Sequence, residues 1–179
     1  MAGENLEGRE RVYYRGLENI NYGLMTELKK MRELPRVLKG KDLPLDTRDI
    51  TGPVFWNRWL MEPEMGRMQS IQSHMVDIVP GGRSNKHGHM NEAVFYVIDG
   101  KGYDIHDGKR YDYEAGDIII VHNGCVHQHF NASRERPLKA LVIKSKPLFL
   151  FMNLLFQKLV EPQPTKPIPG WGAWRPTDF

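Results

Sequence analysis

The sequence predicts an all-β domain, a sandwich or a barrel, on two observations. From Met68 to about Lys144, the chain is a series of short segments rich in β-branched and aromatic residues. Glycines or an Asp-Gly pair separate most of these segments, at intervals of about eight to twelve residues. Short strands connected by such turns are typical of sandwiches and barrels.

Composition narrows the classes of function. A chain of 179 residues is long enough for one domain with a real core. The net charge is only +3, with basic and acidic residues interspersed, so no footprint for nucleic acid is visible. The single cysteine excludes an internal disulfide, as is common in a reducing compartment. The N-terminus lacks the apolar core of a secretion signal, and the longest apolar run, 147–156, is about half the length of a membrane span. We therefore expect a cytoplasmic protein without nucleic-acid or membrane partners.

The N-terminal third is predicted to wrap the β domain. Apolar residues recur at helical steps over 15–34 until Pro35, which predicts a surface helix. Residues 36–66 contain three prolines and no sustained period, so they predict a long arm, with 55–61 as an edge strand.

The β region follows. Asp107-Gly108 is a strong two-residue hairpin signal. After Leu150 a short helix is expected, and then an irregular Pro- and Gly-rich tail in which Trp171 and Trp174 dock on a surface. The predicted strands cover 68–79, 93–99, 103–106, 109–113, 117–121, 126–130 and 138–144.

We divide the chain into three parts that form one structural domain. These are an N-terminal helix and arm (1–66), a barrel core (67–147) and a C-terminal extension (148–179).

All seven histidines lie between residues 74 and 129, and four of them form two His-x-His pairs. Successive strand residues alternate faces, so His87 and His89 point the same way, as do His127 and His129. Two such strands can present three nitrogen ligands to one cation and leave positions open for substrate. The alternative is that these histidines are buried structural residues, or surface residues without a ligand role.

These motifs resemble those of the cupin superfamily. Its first motif is similar to the stretch containing Gly81, His87, His89 and Gly100. Its second is similar to the stretch containing Gly116, Gly124, His127 and Asn131, with His122 in place of a proline. The resemblance implies a double-stranded β-helix, the cupin jelly-roll barrel, with His87, His89 and His127 as metal ligands.

The carboxylate ligand of the first motif is missing here. The motif spacing places Ala93 at that position, and strand parity turns Ala93 inward and Glu92 outward unless a bulge intervenes. Three histidines without a carboxylate resemble the gentisate and hydroxynaphthoate dioxygenases, whose second motif also contains His-x-His. Those enzymes usually carry two cupin domains in a chain about twice this long.

This resemblance implies a non-haem Fe(II) dioxygenase that acts on a small aromatic or hydroxy acid and uses dioxygen. One alternative is a lyase, isomerase or decarboxylase that uses zinc, manganese or nickel as a Lewis acid. Another is a cupin that binds a small molecule without catalysis.

Other residues receive secondary roles. His129 is a candidate catalytic base, or else forms a structural hydrogen bond with Asn131. Arg83 is a candidate for pairing with a substrate carboxylate, or else an exposed loop residue. Cys125 is expected to fill space, and His106 and His122 to lie on the surface; Gln72 and His74 share one strand face.

An oligomer is also expected. Val94, Tyr96 and Ile98 would form an apolar outer face on one strand, which favours a homodimer or a higher homo-oligomer.

Overall fold

The computed structural model describes residues 32–37, 39, 70–166 and 168–170, together with the backbone of 45–46 and 56–61. The chain divides into two compact units, residues 1–37 and 38–179. Nearly all of the helix predicted over 15–34, and the tail tryptophans Trp171 and Trp174, lie outside the described residues. The prediction of one structural domain with three parts, bounded at residues 66 and 147, therefore stays a prediction. No helix in the described ranges is long and apolar enough to cross a membrane.

The second unit confirms the all-β prediction. Its described residues form one helix, α1 (Lys146–Phe151), and eleven strands. The strands are β1 (Leu45–Asp46), β2 (Trp56–Met61), β3 (Gln72–Ile78), β4 (Lys86–His89), β5 (Ala93–Asp99), β6 (Lys101–His106), β7 (Lys109–Glu114), β8 (Ile118–Val121), β9 (Val126–Asn131), β10 (Leu138–Lys144) and β11 (Gln157–Glu161).

The strands form two antiparallel sheets. One has the order β1-β2-β3-β10-β5-β8 and the other the order β11-β4-β9-β6-β7. The β6–β7 hairpin turns at Asp107 and Gly108, as predicted, and both residues have positive φ angles of 48° and 85°. A turn of this kind matches the twist of the strands that it joins.

Three predictions about elements need correction. Strand β2 lies between β1 and β3, so it is not an edge strand. Helix α1 begins at Lys146, before Leu150, because Pro147 suits the first turn of a helix. The extension also contains β11, which was not predicted because all five of its residues are exposed and it therefore shows no alternation of polar and apolar residues.

The inner faces of the two sheets pack against each other, as the contact between the Phe95 ring on β5 and the His129 ring on β9 shows, at 4.2 Å between centroids. Toward Ile78 and Leu138 the inner face is apolar. Toward Gln72 and Lys144, at the other end of the same strand pair, it is polar. The inner face is therefore a hydrophobic core at one end and polar at the other. The buried apolar cluster comprises Val76, Ile78, Ala93, Phe95, Val97, Tyr113, Ile119, Val121, Cys125, Leu138, Ala140 and Val142.

Candidate metal centre

Three histidines from two neighbouring strands meet at the polar end of the barrel. His87 and His127 occupy paired positions of β4 and β9, and His89 follows on the same face of β4. Their ring centroids are 4.4 to 5.4 Å apart. One ring nitrogen of each lies within 4.8 Å of the others, close enough to hold one metal ion.

Backbone carbonyls fix the orientation of these rings. The Nδ1 atom of His89 donates to the Asn91 carbonyl at 2.6 Å, and that of His127 to the Cys125 carbonyl at 3.1 Å. The Nδ1 atom of His87 lies 3.4 Å from the Asn85 carbonyl. Each bond assigns the ring proton to Nδ1 and leaves the lone pair on Nε2, which is how metal-binding histidines are commonly held.

The three imidazoles are neutral at pH 7. Their pKa values are lowered to about 3 for His87, about 4 for His89 and about 2 for His127. Burial is the largest cause, and nearby basic side chains, among them Lys144 at His87 and His89, contribute to the same lowering. Neutral imidazole is the form that ligates metals.

One buried atom tests whether a metal fits. The Nε2 atom of His89 is buried and has no hydrogen-bond partner among the described residues. A buried nitrogen without a partner is unfavourable unless a ligand satisfies it. A divalent cation bound by the three histidines would do so, and the three-histidine site fits such an ion.

The structure agrees with the sequence analysis that Ala93, not Glu92, occupies the position where the cupin motif has a carboxylate ligand. Ala93 points inward and is 1% exposed, whereas Glu92 is exposed. The Glu92 carbonyl accepts a hydrogen bond from the Ser145 amide at 3.2 Å. Glu92 is therefore separate from the histidine cluster.

A buried carboxylate that the sequence analysis missed lies behind the cluster. Asp104 on β6 is fully buried and accepts hydrogen bonds from His129 Nδ1 at 2.8 Å and His106 Nε2 at 3.1 Å. The Tyr113 hydroxyl donates to its other oxygen at 2.9 Å. Burial alone would raise the pKa of Asp104, but the charge of His129 and these three donors hold it well below its usual range. Asp104 is thus ionised, and it orients two histidines.

This network corrects two predictions. His106 does not lie on the surface: its ring is half-buried, bonded to Asp104 and 5.9 Å from the His127 ring. The described hydrogen bond of His129 is with Asp104, not with Asn131, whose amide instead donates to the Ile78 and Arg136 carbonyls. The signal that could have revealed the positions of Asp104 and His106 is an Asp-x-His pair on β6, opposite His129 and His127.

Three polar residues lie on the inner face of the opposite sheet. Gln72 and His74 are buried on β3, and Lys144 is half-buried on β10. Burial, with smaller contributions from nearby basic side chains, lowers the pKa of His74 to about 3 and that of Lys144 to about 8. The sequence analysis placed Gln72 and His74 on one strand face, but it did not indicate that Lys144 lies on the same inner face.

The remaining candidates lie elsewhere. Arg83 is exposed and pairs through its backbone with Phe130, so it lies on the opposite face of β9 from His129. Its role in substrate binding stays a prediction. His122 is exposed, as expected. Cys125 is buried, as expected of a space-filling residue, and burial together with Asp107 raises the pKa of its thiol to about 11.

An open cleft of about 600 Å³ lies between β7 and β8. His106 and Cys125 contribute to its wall, but none of the three clustered histidines does. The cleft is thus separate from the candidate metal centre.

Comparisons with known proteins agree with this geometry. The family described as "Cupin domain" matches residues 74–144, which contain all three clustered histidines. A gentisate 1,2-dioxygenase from Ralstonia sp. is 28% identical over 142 residues, covering 78% of this chain and 40% of the relative. This chain therefore spans well under half the length of that curated relative.

Solved structures show the same fold. Salicylate 1,2-dioxygenase from Pseudoaminobacter salicylatoxidans, in a structure of its adducts with gentisate, superposes with a TM-score of 0.55 at 15% identity, over 86% of this chain and 36% of that one. A polyketide cyclase from Streptomyces resistomycificus superposes with a TM-score of 0.54 at 17% identity, over 62% and 79%. At these identities the likeness concerns the jelly-roll fold alone.

Proposed function

Because this chain contains a cupin domain, we propose that it is a metal-dependent enzyme, a non-haem Fe(II) dioxygenase that acts on a small aromatic or hydroxy acid with dioxygen as co-substrate. The observation that carries the proposal is the group of three neutral imidazoles at the polar end of the barrel, a group of possible ligands that among the described residues includes no carboxylate. The similarity to a gentisate 1,2-dioxygenase supports the choice of reaction.

His87, His89 and His127 would hold the metal through Nε2. Bound ferrous iron would supply a centre for electron transfer between an oxygen-chelating substrate and dioxygen. Because all three ligands are neutral, the full charge of the cation would act on an anionic substrate. The general order in which protein ligands bind divalent metals does not favour iron over zinc, manganese or nickel. The choice of iron therefore depends on the similarity to the gentisate 1,2-dioxygenase.

His129 is proposed as the catalytic acid or base. Its Nδ1 atom is bonded to ionised Asp104, so protons exchanged with the cavity would pass through Nε2. Its ring is packed against Phe95 and lies 5.2 Å from the His127 ring, which holds it beside the metal ligands. Phe95 would also exclude water from the reacting groups.

Oxygen uptake tests the proposal. Protein loaded anaerobically with Fe(II) should consume dioxygen with gentisate, salicylate or 1-hydroxy-2-naphthoate, as the ring absorbance is lost. His127→Ala should abolish uptake, whereas His122→Ala, at an exposed site, should retain it. Undiminished turnover of these acids without dioxygen would reject the dioxygenase and favour Lewis-acid chemistry.

We further propose that the chain forms a homodimer through the outer face of β5 and β8. Tyr96, Ile98, Ile118 and Ile120 on this face are 43 to 64% exposed. Contiguous apolar surface of this kind is typical of protein interfaces. Light scattering should show a dimer for the wild type and a monomer for Ile118→Glu; a wild-type monomer at micromolar concentration would contradict the proposal.

A further inference from the structure

Lys144 lies inside the barrel and not on its surface. It occupies the last position of β10, on the same face as Val142 and Ala140, which are 0% and 2% exposed. Its neighbours across the sheet are Gln72 on β3 and Ala93 on β5, which are both buried. Lys144 therefore lies on the inner face of one sheet, and the three histidines belong to the other sheet.

Among the residues that the structure describes, no carboxylate compensates this ammonium group. Among the described residues, no hydrogen bond or ion pair engages the Lys144 side chain. The charges that act on it or respond to it belong to Lys146 and to histidines, including His87 and His89 of the metal cluster. A half-buried ammonium with only neutral and cationic neighbours is unfavourable unless a ligand supplies the negative charge.

The carboxylate nearest to the cluster cannot meet this need. Asp104 lies on β6 in the other sheet, and its two oxygens already accept from three donors. Glu92 is exposed. A site with a divalent cation held by one sheet and Lys144 on the inner face of the other therefore favours an anion over a neutral molecule of the same shape.

We propose that Lys144 is the residue that pairs with the carboxylate of a substrate held at the three histidines, so that Lys144 makes this site prefer an acid over its neutral amide. The inference rests on the proposed function, and it deepens that function by naming the residue that selects the acid. Lys144 Nζ would pair with the substrate carboxylate, with Gln72 beside it as an amide donor. The hydroxyl oxygen next to that carboxylate would face His87, His89 and His127.

Titration calorimetry with salicylate and with its neutral amide, salicylamide, tests this assignment. The full chain is used, both loaded with Zn(II) and metal-free, as wild type, Lys144→Met, Lys144→Arg and Lys158→Met. Lys158 is exposed on β11 and serves as the matched control. Methionine fills the same volume without a charge, so Lys144→Met should fold at least as well as the wild type, which thermal unfolding checks.

Lys144→Met should weaken salicylate binding at least about tenfold, because the carboxylate loses its charged partner. Salicylamide binding should stay the same, and Lys144→Arg should restore most of the affinity for salicylate. Equal salicylate affinity of wild type and Lys144→Met would overturn the inference, as would a wild type that binds salicylate no better than salicylamide. The metal content of Lys144→Met, measured separately, should equal that of the wild type. A wild type that takes up no metal would refute the proposal of a metalloenzyme. The titrations of metal-free protein would then still decide the role of Lys144.

Discussion

At the scale of single residues, the site depends on which nitrogen of each imidazole carries the proton. Backbone carbonyls hold the Nδ1 protons of His89 and His127, and a carboxylate holds that of His129. The chain thus separates two kinds of histidine. Those bonded to carbonyls stay neutral and suit metal ligation, whereas His129 is held by the carboxylate of Asp104.

Replacing Asp104 tests this division. Asp104→Asn keeps the shape but removes the negative charge that orients His129, so kcat should fall about 10- to 100-fold, as for other outer-shell partners of metal sites. Metal content should be retained, because His87, His89 and His127 do not bond to Asp104 in the described contacts. Steady-state kinetics and elemental analysis measure the two effects; unchanged kcat, or loss of metal together with activity, would contradict the division.

His74 predicts an acid sensitivity of the metal-free protein. Its folded-state pKa of about 3 lies below the ordinary 6.5, so between these values the unfolded chain binds a proton that the folded chain does not. Stability therefore falls as pH decreases from about 6.5, by up to about 1.4 kcal/mol per pH unit for this group. Urea unfolding at about pH 7, 6 and 5 should show a smaller loss for His74→Gln than for the wild type, and equal slopes would refute the assignment.

At the scale of elements, the spacing of residues along strands sets the site more than any single contact does. The alternation of faces explains why His87, His89 and Ala93 could be placed from the sequence, and the structure agrees for all three. Strands β5 and β10 have the predicted bounds, because both alternate buried and less buried positions.

Pairing between distant strands could not be predicted in the same way. Asp104 and His106 lie on a strand with a clear turn signal, but their approach to His129 and His127 depends on the β6–β9 register. The position of Lys144 could not be predicted for the same reason, because it depends on the pairing of β10 with β3 and β5. β11 was missed because an exposed edge strand leaves no periodic trace.

Gly102 tests the packing of β6 against its neighbours. An added Cβ would lie 2.5 Å from the Phe130 carbonyl oxygen and 2.7 Å from the Tyr113 ring. Gly102→Ala should therefore destabilise the fold by about 1–3 kcal/mol or more. It should also disturb Asp104, which follows on the same face of the strand.

The matched control is Gly108→Ala, in the hairpin turn, where nothing lies within 4 Å of an added Cβ. Its φ angle of +85° makes alanine strained, at a cost of about 1–2 kcal/mol. Chemical denaturation compares the two variants. If Gly102→Ala proves no more destabilising than Gly108→Ala in thermal and urea unfolding, the close packing inferred at β6 is wrong.

At the scale of the whole molecule, a metal would link two strands of one sheet that are far apart in sequence. His87 and His89 come from β4, and His127 comes from β9. Binding to the folded state alone stabilises it by mass action, by about 2.7 kcal/mol at a hundredfold excess over Kd. Wild-type protein should thus unfold at a higher temperature with Zn(II) or Fe(II) than without, and His87→Ala should lose this increase; an equal shift in both would place the metal elsewhere.

The central claim is that three histidines of this chain hold one divalent metal. Elemental analysis of protein purified without chelators or affinity metal, and then incubated anaerobically with Fe(II), measures it directly. We predict about one metal ion per chain for the wild type and for His122→Ala, and close to none for His87→Ala, His89→Ala and His127→Ala. A wild type without metal after this treatment, or ligand variants that keep it, would contradict the claim.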